Sequence, residues 1–171
     1  MKNSKTKKIV FTALFTALIT ISTMFIRIPL PLGYVNLGDA FIFLAVFLLG
    51  PIYGTFAGAL GSGLADLLGF PLYAPGTLVI KALMALVCFF IFKLINKSDK
   101  LSIVAEIISG IIGTIIMAFG YFFYEILFFE TVGVAIVNVP WNLLQGAVGT
   151  AIAVLIMRLI KSTKLFDEFH N

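Results

Sequence analysis

The chain is poor in cysteine, histidine and charge, and each shortage removes a class of function. Its one cysteine, Cys88, lies inside an apolar run, which excludes an internal disulfide and a cysteine-based metal site. Its one histidine, His170, is the penultimate residue and reads as part of a solvated tail. Charged residues make up 12% of the 171 positions, about half the share of a soluble domain. No Gly-x-x-x-x-Gly-Lys-Ser/Thr loop is present, so the chain does not hydrolyse ATP itself. His-Glu-x-x-His and Gly-x-Ser-x-Gly are missing too, which weakens a hydrolase reading. No inverted repeat with broken helices supports a self-contained secondary transporter. A basic stripe interleaved with aromatics, as nucleic-acid binding needs, is also lacking.

What the chain does have is apolar length. Apolar residues form 61% of it, and its mean hydropathy is +1.12, which marks an integral membrane protein. The first apolar run is long and lacks a small-x-small exit site, so a cleavable signal peptide is not expected. The pattern predicts an all-α bundle of six transmembrane helices in a single domain, residues 1–171. The expected spans are 9–26, a short second helix 40–49, then 52–68, 77–95, 101–129 and 139–160. Gly50-Pro51 separates the second from the third, and the segment between Leu32 and Asp39 reads as a loop.

The few cations are not scattered. Lys2, Lys5, Lys7 and Lys8 precede the first span, Lys93, Lys97 and Lys100 lie mid-chain, and Arg158, Lys161 and Lys164 follow the last. Such clusters mark the cytoplasmic side, which gives an N-in, C-in topology. Nearly all other ionisable groups then fall toward the opposite face. Arg27 marks the outer end of the first helix, while Lys81 lies within the membrane.

That orientation turns sequence position into depth. Tyr34, Asn36 and Asp39 from the first loop, Asp66, Lys81, Glu125, Asn142 and Gln145 all come to the outer half of the bilayer. A charge at that depth must pair or face a cavity, and Glu125 or Asp66 is the expected partner of Lys81. Two readings stay open: an ion pair that locks the bundle, or a ligand site built around one. Asn138, Asn142 and Gln145 share one helical face, with Trp141 beside it. Tyr73, Thr77 and Lys81 make a second stripe, Tyr121 and Glu125 a third. Amides, a cation, carboxylates and rings suit a small planar heteroaromatic solute. Trp141 fits ligand stacking or an interfacial belt, and Tyr53 and Tyr124 fit packing or belt positions. Asp39 and Asp66 also fit helix capping or pinning of the loop.

Small residues suggest how the helices approach. Gly50, Gly54, Gly58, Ser62 and Asp66 form one ridge, read as internal packing. Ala13 and Ala17, an Ala-x-x-x-Ala pair on the first helix, fit packing within the bundle or against a partner.

These segments resemble the substrate-binding S components of energy-coupling factor (ECF) vitamin transporters. The resemblance runs along essentially the whole chain: Ala13-x-x-x-Ala17, Tyr34-Val-Asn-Leu-Gly-Asp39, Gly50-Pro51, the run from Gly58 to Gly69, and Tyr73 to Lys81. It is nearest to the hydroxymethylpyrimidine or vitamin B6 type, which is related to the riboflavin type. The resemblance implies an outward-facing pocket for a vitamin or precursor, drawing on Tyr34, Asn36, Asp39, Lys81, Glu125, Trp141, Asn142 and Gln145. It also implies docking of the Ala13/Ala17 face on a transmembrane coupling subunit that works with two ATPase subunits. No cofactor, no catalysis and a bacterial cell membrane location go with it. A riboflavin-binding S component is one alternative; a membrane enzyme using Asp66, Lys81 and Glu125 as acid–base groups is another.

Overall fold

The computed structural model describes residues 4–30, 34–98, 102–129 and 132–163. Expectations that concern Lys2, Pro31, Gly33, Lys100, Lys164 and His170 lie outside the described residues. In chain order the elements are α1 (Ser4–Phe25), β1 (Arg27–Pro29), β2 (Tyr34–Asn36), α2 (Gly38–Gly69), α3 (Ala74–Ile95), α4 (Ser102–Phe129) and α5 (Val132–Lys161).

All five helices are long and apolar enough to cross a membrane. Their outward faces carry Leu14, Phe56, Phe90, Phe119 and Leu155, all exposed, while Asp39, Lys81, Glu106 and Glu125 are buried. That inside-out distribution is what lipid demands, because a bilayer core solvates apolar side chains and penalises ionised ones.

Two corrections to the sequence reading follow. The expected first loop contains a two-stranded antiparallel hairpin, with Arg27 opposite Asn36, Ile28 opposite Val35 and Pro29 opposite Tyr34. Among the described residues the expected six helices are five, because the second and third belong to one element, α2. Within α2 the helix breaks at Gly50, whose φ of 82° and ψ of −172° suit glycine alone. Pro51 then opens the next turn, where its missing N–H costs nothing. A Cβ added at Gly54 would meet the Val46 backbone at 2.7 Å, and one at Gly58 would meet Ile42. Residues 54 and 58 thus pair with 46 and 42, and the chain folds back on itself at Gly50.

The first rod of α2, residues 38–49, is only about 18 Å long. Ile42, Phe43, Ala45 and Val46 in it are fully buried. The other helices shield it from lipid, so its length need not match the membrane. The second rod carries the expected small-residue ridge: Gly54 and Gly58 face the first rod, and Ser62 and Asp66 continue the line into the interior.

Helix α5 starts seven residues earlier than expected, at Val132, and carries Pro140 inside it. Its first turns are held by burial of Ala135 and Asn138 and by the Asn138 amide on Glu125 of α4.

One end of the bundle is basic. Lys8 lies 5.9 Å over the Tyr53 ring, near the Gly50 reversal, and Phe47 packs on Phe92 beside Lys93. At this end Glu106, fully buried, accepts from Arg158, from Lys161 at 2.9 Å and from Ser102 at 3.0 Å. The sequence reading overlooked this carboxylate; it clips the start of α4 to the end of α5.

Replacing Gly50 by Ala forces a side chain into glycine-only backbone. We expect Gly50→Ala to lower stability by about 1–3 kcal/mol, read as a shift of the unfolding midpoint in detergent.

Candidate functional site

At the end opposite the basic one, the hairpin and four helices converge on a small polar cavity. The hairpin supplies Tyr34 and Asn36, and the second rod of α2 supplies Ser62 and Asp66. Tyr73 at the N-cap of α3 joins Thr77 and Lys81 from that helix, and α4 contributes Tyr121 and Glu125. Asn138, Asn142 and Gln145 come from α5, with Thr23 of α1 and Leu30 at the margin. Helical spacing explains the gathering: each stripe recurs at three or four residues, so one face of each helix turns inward. All three stripes identified in the sequence line the cavity together.

The deepest group is an ion pair. The Lys81 ammonium contacts Asp39 Oδ1, and both side chains are almost wholly buried. Asp39, rather than Glu125 or Asp66, is the partner of Lys81, because it heads the first rod of α2 beneath the cavity. Lys81 also donates toward Met117 Sδ at 2.8 Å and lies 5.6 Å from the Tyr121 ring centroid. Gln145 Nε2 donates to Asp39 Oδ2 at 2.6 Å. The Gln145 carbonyl oxygen in turn accepts from the Asn36 backbone N–H at 2.7 Å. Asn36 Oδ1 accepts from the Gly38 N–H at 2.8 Å and from Thr23 at 3.3 Å, fixing the entry into α2.

A second node is Asp66, which accepts from the hydroxyls of Tyr34 and Thr77. Thr77 is also 2.9 Å from the Tyr121 hydroxyl. Burial and the Asp66 carboxylate push the Tyr34 phenol above its ordinary range, so it stays a donor and holds the hairpin on α2. Arg27 lies over the other face of Tyr34, 5.4 Å from its centroid. The third node is Glu125: Oε1 accepts from Tyr73 at 3.1 Å and from Asn138 at 3.0 Å. Burial and Glu125 raise the Tyr73 phenol as well.

The space within the cavity that a water-sized molecule can occupy is small, about 30 Å³. The polar groups have closed on one another, and a ligand must exchange with these contacts.

The predicted residues therefore separate. Tyr34, Asn36, Lys81, Glu125, Asn142 and Gln145 line the cavity, and Asp66 joins them. Asp39 lies just behind, as the support of Lys81. Trp141 is 41% exposed and does not line it; neighbouring positions on a helix diverge by about 100°, so Asn142 turns in and Trp141 out. Thr23 and Ser62 were missed; Ser62 sat on the small-residue ridge, whereas Thr23 carried no signal.

A separate apolar groove of about 780 Å³ runs between α1 and the second rod of α2. Ala13 and Ala17 line its floor and are exposed, beside Ile52, Phe56 and Leu60. Thr12, Thr16 and Thr20 each donate to the carbonyl four residues back, at 2.7, 2.8 and 2.9 Å. Their hydroxyls are thus satisfied within the helix.

Removing one partner of the Lys81–Asp39 pair leaves a buried charge uncompensated. Lys81→Met should cost about 3–5 kcal/mol in detergent unfolding. Adding Asp39→Asn to it should recover most of that loss.

Comparison with known proteins agrees with this architecture. A solved structure described as "Structure and mechanism of the S component of a bacterial ECF transporter" aligns with a TM-score of 0.72 at 24% identity. The alignment covers 92% of this chain and 97% of that one, and it speaks for the fold. An uncharacterized protein of Pyrococcus woesei, from a gap 3′ region, is 38% identical over 105 residues. That match spans 60% of this chain and 68% of the relative. The profile of the family "ECF-type riboflavin transporter, S component" matches residues 3–162. With nearly its whole length covered, and with the fold of an S component, this chain belongs to the ECF-type riboflavin transporter S-component family.

Proposed function

We propose that this protein captures a small heteroaromatic vitamin or precursor from outside a bacterial cell membrane. It then delivers that solute with an ATPase-driven coupling module. The single observation that carries this reading is the polar cavity: thirteen hydrogen-bonding side chains from the hairpin and the helices meet inside an apolar bundle. Such groups at membrane depth are expensive unless they serve a site.

The fold-back at Gly50 supports six passes from five helices, since α2 turns around within itself. An even number of passes leaves both termini on the side of the basic clusters, supporting N-in, C-in. The cavity then opens toward the outside.

For the solute we favour hydroxymethylpyrimidine or a pyridoxine-like ring. A space of about 30 Å³ must widen to admit any ring, and a single ring asks for the least widening. Riboflavin is the second candidate, supported by the family profile. In this reading Asn36, Asn142 and Gln145 read hydrogen-bonding edges, Tyr34 covers a ring face, and Lys81 and Glu125 orient polar substituents. An enzymatic alternative using Asp66, Lys81 and Glu125 finds less support, because Lys81 is engaged by Asp39. The Ala13/Ala17 groove is the proposed seat of a transmembrane coupling subunit that acts with two ATPase subunits; its smooth apolar floor suits a partner helix.

Calorimetric titration of the purified protein with hydroxymethylpyrimidine, pyridoxine and riboflavin tests the capture role. One of them should bind, and Asn142→Ala should weaken it about 10-fold, the worth of one good hydrogen bond. Failure of every planar vitamin precursor to bind the folded protein would overturn the reading. Docking has its own check: Ala13→Trp should abolish co-purification with the ATPase subunits, whereas unchanged co-purification would move the docking face elsewhere.

A further inference from the structure

The groove between α1 and the second rod of α2 offers about 780 Å³ and little to hydrogen-bond. Ile52, Phe56 and Leu60 wall it above the exposed Ala13 and Ala17. The hydroxyls of Thr12, Thr16 and Thr20 return to carbonyls of α1, and Thr20 also donates to the Gly61 carbonyl at 2.9 Å. An empty recess forfeits the dispersion contacts of its lining, and hydrocarbon is the filling a bilayer supplies. From Ile9 to Ile21 the groove runs about 18 Å along α1, close to the hydrocarbon depth of one leaflet, about 15 Å.

Charge marks the end that a headgroup takes. Lys5 lies one turn before Ile9, and Lys8 one turn before Thr12, so both extend the groove-lining side of α1 at its basic end. The Lys8 ammonium sits 5.9 Å over the ring of Tyr53, which lines the groove, and Lys5 is exposed. Residues three apart on a helix are neighbours, so one phosphate can reach both ammonium groups. No carboxylate of the groove's own helices competes for them. The only acids on α1 and α2 are Asp39 and Asp66, both buried at the cavity end.

We propose that in the free protein this groove holds one acyl chain of an anionic phospholipid, with its phosphate seated between Lys5 and Lys8. The lipid belongs to the leaflet at the basic end of the bundle. Helical side chains tilt toward the N-terminus, which directs both lysines to the headgroup plane of that leaflet. A zwitterionic lipid offers the same tail, so the charge of the headgroup sets the preference. Neither the solute nor the coupling subunit is needed for this site. A partner helix that seats on Ala13 and Ala17 takes the place of the chain.

The test titrates the full chain in detergent with dioleoylphosphatidylglycerol and with dioleoylphosphatidylcholine, counting bound lipids by native mass spectrometry. Phosphatidylglycerol should bind as one tight copy, about 10–30-fold tighter than phosphatidylcholine, the worth of two lysines at a membrane surface. Replacing both lysines, Lys5→Gln with Lys8→Gln, should remove that preference. Ala13→Leu with Ala17→Leu fills the groove at two exposed positions and should abolish the tight copy at an unchanged unfolding midpoint. Absence of a tight copy on the wild type overturns the site. Equal affinity for the two lipids, or a preference that survives the lysine changes, overturns the headgroup seat. A tight copy kept by the filled-groove variant overturns the groove as the place of the chain.

Discussion

The structure depends on one ion pair, Lys81 with Asp39, almost wholly buried at the edge of the cavity. In a low-dielectric interior each charge alone would cost several kcal/mol, and the pair persists because each side is further hydrogen-bonded. Lys81 belongs to α3 and Asp39 to the first rod of α2, while Gln145 of α5 binds the other carboxylate oxygen. Three segments remote in sequence are thereby tied at one point. The apolar packing around them, from Phe43 to Met117 and Cys88, supplies bulk but little direction.

The same node reaches the hairpin. Gln145 donates to Asp39 and accepts from the Asn36 backbone, so the position of β2 is set partly by the charge beneath it. A solute that competes for the Gln145 amide acts on the hairpin and on the ion pair at once. Tyr34 on Asp66 is the other tether of the hairpin, and it too lies on the cavity wall. If the proposed capture role holds, solute binding and release of the hairpin draw on the same few hydrogen bonds.

How much of this was legible in the sequence follows from what periodicity encodes. The stripes 73/77/81, 121/125 and 138/142/145 share a face by helical geometry, and no tertiary knowledge is needed to read them. Pairing across helices is another matter. Lys81 could have met any of three carboxylates at its depth, and the fold chose the one at the start of α2. The hairpin escaped notice because three residues per strand carry no alternation to detect. Glu106 escaped because it lies among the basic residues, where a single carboxylate looks like a minor dilution of charge rather than their common partner. Gly50-Pro51 was read as a break between helices; the structure keeps the break and adds a sharp reversal.

Trp141 is the only tryptophan in the chain, and it faces away from the cavity. Its indole emission consequently reports the polarity of the lipid or partner surface around α5, with little direct sensitivity to occupancy of the site. If the protein tilts when it engages the coupling module, the ring changes depth in the bilayer. Quenchers placed at defined positions along the lipid acyl chains would then follow that tilt without any added label. A side chain unsuited to stacking on a solute is, by the same outward orientation, a built-in gauge of how the molecule stands in its membrane.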